Sequence, residues 1–272
     1  SLPIRVVTLK KSSPLVVLMR RLFPTADVGI QRAVDLRSVS PEALVRARLI
    51  TSNVFFSLKN GRKWDHEVPS AGAVGLAQAN RLALMESPRV PLLLLEDDCV
   101  INDEASFQRD MAKLLSSRDK FDVAAFSIQP REATTRLTWD APPNFEEVHG
   151  PFMWTHCVLF TPRGRRRVHA ILKAPLSMQI DSLFGIHATF GELVLIGQVR
   201  MYTTSQSTHA SSIQNNAKEV SEHLVTTMSS MFHTGGTWEQ SQLHFLCVGV
   251  TMSTIVGIFC AYRQCVARGV LR

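Results

Sequence analysis

What the chain lacks already excludes several functions. Its five cysteines show no metal-ligand spacing, which excludes a zinc ribbon or finger. Cys247 and Cys260 fall in an apolar segment and Cys265 follows it. Only Cys99 and Cys157 belong to the part expected to fold, and they are expected as two separate buried thiols rather than a disulfide. Cysteine usage therefore does not report the redox compartment. There is no internal repeat and no low-complexity tract, so a solenoid is excluded. No basic stripe interleaved with aromatics is present, which argues against a nucleic-acid partner. The formal charge of +7 does not contradict this, because Arg263, Arg268 and Arg272 contribute three of it within the last ten residues. The +4 that remains is too little for a face that follows a phosphate backbone.

What is present begins with a globular composition, 45% apolar, over 272 residues. Leu243–Tyr262 is a twenty-residue run without formal charge. At about 1.5 Å per residue it matches a hydrocarbon core of about 30 Å, and it is expected to span a membrane rather than to form a buried core helix. Arginines follow the run and no acid follows Glu239. The positive-inside rule then places residues 263–272 in the cytoplasm and the large domain on the lumenal face of the secretory pathway. That orientation needs an N-terminal signal, and none is visible. The chain starts at Ser1, which fits a cleaved N-terminus. A tail-anchored protein with a cytosolic domain is the competing topology. Residues 217–242 are polar and suit a stem.

Upstream, strands alternate with helices, which predicts one three-layer α/β domain over residues 1–216. Strands are expected at Ile4–Leu9, Gly29–Val34, Phe121–Phe126, Pro151–Phe160, Leu193–Ile196 and Val199–Tyr202. Helices are expected at Pro14–Phe23, from a Ser70 cap to Glu86, at Glu104–Leu115, and from Thr161-Pro162 to Lys173. A loop is expected at Gln129–Asn144. The run Leu92–Leu95 reads as a strand buried on both faces inside a parallel sheet. Glu96, Asp97 and Asp98 follow at its C-terminal end, where open α/β sheets bind ligands. Alternation along a strand puts Glu96 and Asp98 on one side and Asp97 on the other. Two same-side carboxylates repel unless a cation lies between them, and a hard divalent ion, Mn²⁺ or Mg²⁺, suits them. A solvated acidic turn is the alternative. Thr8 and Lys10, ending the first strand, are expected beside a nucleotide by the same crevice rule.

In this setting Leu95–Val100 resembles the Leu-Glu-Asp-Asp-x-Val motif of the family 25 glycosyltransferases, which include lipopolysaccharide-biosynthesis and collagen β-galactosyltransferases. Ile4–Lys11 is similar to the family's opening strand and loop, and Gly72–Asn80 to its Gly-Glu-Ile-Gly-Cys-x-x-Ser-His helix start. Thr155–Ala170, Pro175–Asp181 and Ser211–Gln214 resemble its later segments, so the likeness runs over residues 3–215. The chain departs from the pattern at Ala73, Ala79, Asn80 and Thr8. The resemblance implies a GT-A-like, Rossmann-related fold. It also implies an inverting transfer of a hexose, galactose or glucose, from a UDP-sugar to a glycan or protein acceptor. Asp97, Ser211 and Ser212 then fall around the nucleotide. A catalytically inactive GT-A-like module that binds sugar or a partner is the alternative.

Inversion in one displacement needs a carboxylate opposite the leaving group, and Asp181 is the candidate, with an ordinary helix cap as the competing reading. His209, beside the family-like Ser-x-Ile, is a candidate third metal ligand with Glu96 and Asp98. A structural or solvent-facing histidine is the alternative. Arg163, Arg165, Arg166 and Arg167 open a helix and are read as a solvated face rather than a phosphate site. His156 and Trp154 are read as packing residues.

Overall fold

The computed structural model describes residues 1–62, 64, 66–199 and 203–206. Ser211, Ser212, His209, the stem and the apolar run 243–262 lie outside the described residues. Among those described, no helix is long and apolar enough to cross a membrane.

In chain order the elements are β1 (Pro3–Thr8), α1 (Pro14–Leu22), β2 (Asp27–Arg32), α2 (Pro41–Arg46), α3 (Ser52–Asn60) and α4 (Ala71–Met85). There follow β3 (Leu92–Glu96), β4 (Cys99–Ile101), α5 (Glu104–Ser116), β5 (Val123–Ala125), β6 (Gln129–Pro130) and β7 (Thr135–Arg136). The remainder are β8 (Phe145–Glu147), β9 (Phe152–Met153), β10 (Cys157–Phe160), α6 (Pro162–Lys173), α7 (Ile180–Thr189), β11 (Leu195–Gln198) and β12 (Thr204–Gln206). Eight strands form one sheet in the order β2-β1-β3-β10-β5-β11-β8-β7. β3 lies inside the sheet as expected, but the sheet is mixed. It pairs parallel with β1 and antiparallel with β10.

Period-two alternation divides the core into two. Val7, Leu92, Leu94, Val123, Ala125, Val158 and Phe160 face one layer, with Leu44, Val54, Val74 and Val168 from α2, α3, α4 and α6, and Phe184 from α7. Ile4, Val6, Leu93, Leu95, Ala124 and Leu159 face the other, with Met19 of α1 and Phe107 and Met111 of α5. This is the three-layer arrangement, and it explains why four consecutive leucines were needed: both sides of β3 are covered.

The helix caps act as the sequence suggests. The hydroxyls of Ser13, Ser70 and Thr161 accept from Leu15, Ala73 and Gly164 N–H, closing the open first turns of α1, α4 and α6. The small residues of α4 permit a close backbone approach. A Cβ on Gly75 would lie 2.0 Å from the Val34 carbonyl oxygen, so only glycine fits there.

Three expectations are corrected. Pro151–Phe160 is not one strand, because Trp154 has φ +79° and breaks it into β9 and β10. The second strand lies at Asp27–Arg32, two residues earlier than the hydrophobic pattern suggested, because its pairing with β1 sets the register. Arg165 is not solvated. It is 0% exposed, and its guanidinium donates to the carbonyls of Ala83, Leu84, Glu86, Ser87 and Val90 at and beyond the end of α4. Arg163 and Arg167 pair instead with the fully buried Asp122. Cys99 and Cys157 are buried free thiols, as expected.

Candidate active site

From β1 the chain runs to β2 on one side and later to β3 on the other, so the carboxyl ends of β1 and β3 flank a topological switch point. Thr8 ends β1 and Glu96 ends β3. The buried Thr8 hydroxyl donates to Asp97 Oδ2 at 2.8 Å and accepts from the Lys10 N–H at 3.1 Å, while the Lys10 side chain is exposed. Thr8 and Asp97 therefore clamp the two strand ends across the crevice.

Asp97 and Asp98 form a turn between β3 and β4, so strand alternation does not set their directions. Burial nevertheless separates them. Glu96 is 5% and Asp98 8% exposed, whereas Asp97 is less buried and faces Thr8. Glu96 is fixed by its N–H to the His156 carbonyl at 2.9 Å and by the Thr155 hydroxyl, which donates to Oε1 at 3.3 Å. Burial, with Asp98 next, pushes the Glu96 carboxyl up to about 8. Burial and Asp97 push Asp98 up to about 6.

Asp181 arrives from far along the chain. It sits in the first turn of α7, 9% exposed, and its Oδ1 accepts from the Ser182 N–H at 2.7 Å. It lies close enough to raise the pKa of Glu96, so the tertiary fold brings the candidate base to the acidic turn. Burial raises its own pKa to about 6, against the lowering effect of backbone N–H groups from Ser182 and Trp154. Asp181 and Thr155 line a small cavity of about 40 Å³ whose other walls include Val68, Ala73, Leu76 and Ile180.

Whether these residues suit a divalent ion is tested by their unused oxygens. Glu96 Oε2 and Asp98 Oδ1 are buried and have no hydrogen-bond partner. Buried anionic oxygens without donors are costly, and a cation is the species that satisfies them. Among the described residues no three Asp, Glu, His or Cys side chains form a metal cluster, so those residues supply two carboxylates here. That set suits Mg²⁺ or Mn²⁺, which share their coordination with substrate phosphates.

Of the residues predicted for the site, Thr8, Asp97, Glu96, Asp98 and Asp181 converge, and Lys10 lies at the rim through its backbone. Sequence reasoning missed Thr155 as the partner of Glu96. It also missed Ala73 and Leu76 as the cavity wall, because no local pattern reports contacts between α4, the start of α7 and the break before β10.

No known protein family matches the chain, and no curated protein does. Solved structures of similar fold include the UTP-bound UGPase from Acinetobacter baumannii, 10% identical, covering 82% of this chain and 100% of that one, with a TM-score of 0.40. The mannose-1-phosphate geranyltransferase from Thermus thermophilus is 14% identical over 75% of each chain, with a TM-score of 0.35. A197 from STIV is 13% identical, covering 75% of this chain and 82% of that one, with a TM-score of 0.37. Likeness at this level assigns neither a reaction nor a substrate.

Proposed function

We propose that the chain is a metal-assisted glycosyltransferase, of the kind the family 25 resemblance implies. It moves a hexose from a UDP-sugar to a hydroxyl of a glycan or protein acceptor. One observation carries this reading: three buried carboxylates from two distant segments meet at the switch-point crevice, with two of their oxygens unsatisfied. Glu96 and Asp98 would hold Mn²⁺ or Mg²⁺. His209, beside the family-like Ser-x-Ile, is the third candidate. When bound, the ion offsets the charge that grows on the departing diphosphate.

The chain's own residues do the rest. Thr8 and Asp97 hold the ends of β1 and β3 together and shape the nucleotide crevice, with Lys10 at its rim, and Ser211 and Ser212 are the further nucleotide contacts that the family 25 resemblance implies. Asp181, with a pKa near 6, is ionised at neutral pH and takes the acceptor hydroxyl's proton. The acceptor oxygen bonds to the anomeric carbon as the bond to the diphosphate oxygen breaks, which inverts that centre. The apolar wall beside Asp181 keeps bulk water from competing. Residues 243–262 anchor the domain on the lumenal face of the ER or Golgi. Protease added to sealed microsomes should remove only the short tail, and digestion of the domain would support the tail-anchored topology.

The deciding experiment measures UDP-galactose and UDP-glucose binding by calorimetry, with and without Mn²⁺, for wild type and Asp98→Asn. Metal-dependent binding that Asp98→Asn abolishes supports the reading. Equal binding by both proteins sinks it. The second reading, an inactive binding module, is favoured by Ala73, which presents a methyl group to the Asp181 cavity where the family has a glutamate. Metal-dependent binding with no hydrolysis or transfer would select it.

A further inference from the structure

A second concavity lies at the far edge of the sheet. It has a volume of about 580 Å³, within the range of about 300–1,000 Å³ typical of small-molecule sites. Its lining residues all lie between Thr134 and Glu146, a stretch that overlaps the loop expected at Gln129–Asn144 and carries β7 and the start of β8. Register places it relative to the acidic crevice. Phe145, which opens β8, pairs with Gln198 at the carboxyl end of β11, and β11 runs parallel to β5 and to β3. The cleft therefore opens on the same edge of the sheet as Glu96, four strand spacings away, roughly 19 Å. Its apolar residues Leu137, Trp139 and Phe145 pack on the layer of α1 and α5, opposite the layer that carries Asp181.

The lining combines a half-exposed aromatic, Trp139, with planar polar groups. Trp139 is half-buried, and its indole is stacked on Phe121 at 6.4 Å with an interplanar angle of 9°, so one face is fixed and the ring is pre-set. Leu137 continues the apolar floor. Around them stand Arg136, Asp140, Asn144 and Glu146, which offer a guanidinium, two carboxylates and an amide. Asp140 is held by Lys113 at 2.5 Å. With one guanidinium against two carboxylates the lining is net negative, which disfavours a polyanion such as a nucleotide or nucleic acid. A pyranose fits both halves: its axial C–H groups lie on an aromatic face, and its equatorial hydroxyls need donors and acceptors at the rim.

We propose that this cleft binds a hexose ring of a neutral glycan, at a site separate from the acidic crevice. It does not depend on the protein being a transferase, since a lectin-like subsite serves equally an enzyme that grips its acceptor away from the reacting end.

The test titrates the full chain with methyl α- and β-hexopyranosides of glucose, galactose and mannose, read by saturation-transfer NMR and calorimetry. At least one should bind saturably. Trp139→Ala should weaken that binding about tenfold, equivalent to about 1.4 kcal/mol for one lost aromatic platform. Because that change also removes the stack on Phe121, Arg136→Ala and Asp140→Asn, both at exposed positions, are made beside it and should weaken binding without altering the thermal midpoint. Asp98→Asn should leave it unchanged, which separates this site from the proposed donor site. The proposal is overturned if no hexoside saturates. Binding indifferent to Trp139, Arg136 and Asp140, binding lost in Asp98→Asn, or capture of a proline-rich peptide in place of sugar would overturn it equally.

Discussion

Arg165→Met is the sharpest test of how the site is held. The wild-type guanidinium is fully buried, is bonded by main-chain carbonyls, and has its pKa lowered to about 10 by burial, so it stays charged at neutral pH. Five carbonyls at the carboxyl end of α4 and in the turn to β3 converge on it. It thus caps the negative end of the α4 macrodipole and ties that end to α6. Methionine keeps the apolar stem and removes every donor. The carbonyls of Glu86, Ser87 and Val90 are partly buried and regain water, but those of Ala83 and Leu84 are in the core. Each buried acceptor left without its donor costs about 1–3 kcal/mol. Allowing for the Glu86 N–H that still reaches Ala83, and adding the lost dipole term, the expected destabilisation is about 3–5 kcal/mol. Lysine keeps the charge but serves fewer carbonyls, so Arg165→Lys should fall between. Urea unfolding followed by circular dichroism reads both. The α4 residues Ala73 and Leu76 wall the Asp181 cavity, so donor turnover should fall with the loosened helix. A Met variant within about 1 kcal/mol of wild type would refute the capping argument.

Other outcomes follow from the same geometry. Asp181→Asn should keep UDP-sugar affinity while turnover drops about 10²–10⁴-fold, and loss of donor binding instead would place Asp181 on the nucleotide side. Mn²⁺ should stabilise wild type by about 2.7 kcal/mol at a hundredfold excess over Kd, read as a raised thermal midpoint, and should not stabilise Asp98→Asn; no shift in either protein would remove the metal from the site. Glu96→Gln should stabilise the metal-free protein at neutral pH, because the wild-type carboxyl, pushed up to about 8 by burial, must take up a proton to fold and the amide need not; destabilisation in urea would contradict this. His156 is buried neutral, with its pKa lowered to about 4. The unfolded chain therefore takes up a proton first as pH falls, and stability is lost from about pH 6.5 toward pH 4, at up to about 1.4 kcal/mol per unit. His156→Gln should flatten that part of the stability profile relative to wild type; parallel profiles would contradict the burial argument.

The sequence by itself determined the elements whose causes are local. A hydroxyl before Pro14, Ala71 and Pro162 starts each helix there, because the cap and the first turn are neighbours in the chain. The four leucines of β3 announce a doubly covered strand, and the acids after them announce the crevice, because strand ends bind ligands whatever the neighbours are. Only the tertiary structure decided what depends on partners far along the chain. It set an antiparallel β10 beside β3, since pairing direction is chosen between segments and not within them. It turned Arg165 of α6 inward, because the carbonyls that bind it lie about 80 residues away and leave no trace near Arg165 itself. It brought Asp181 and Thr155 to Glu96, and it gathered an irregular stretch of loop into a cleft around Trp139. Side-chain chemistry is written residue by residue, whereas a site is a set of distances, and those distances are fixed by packing.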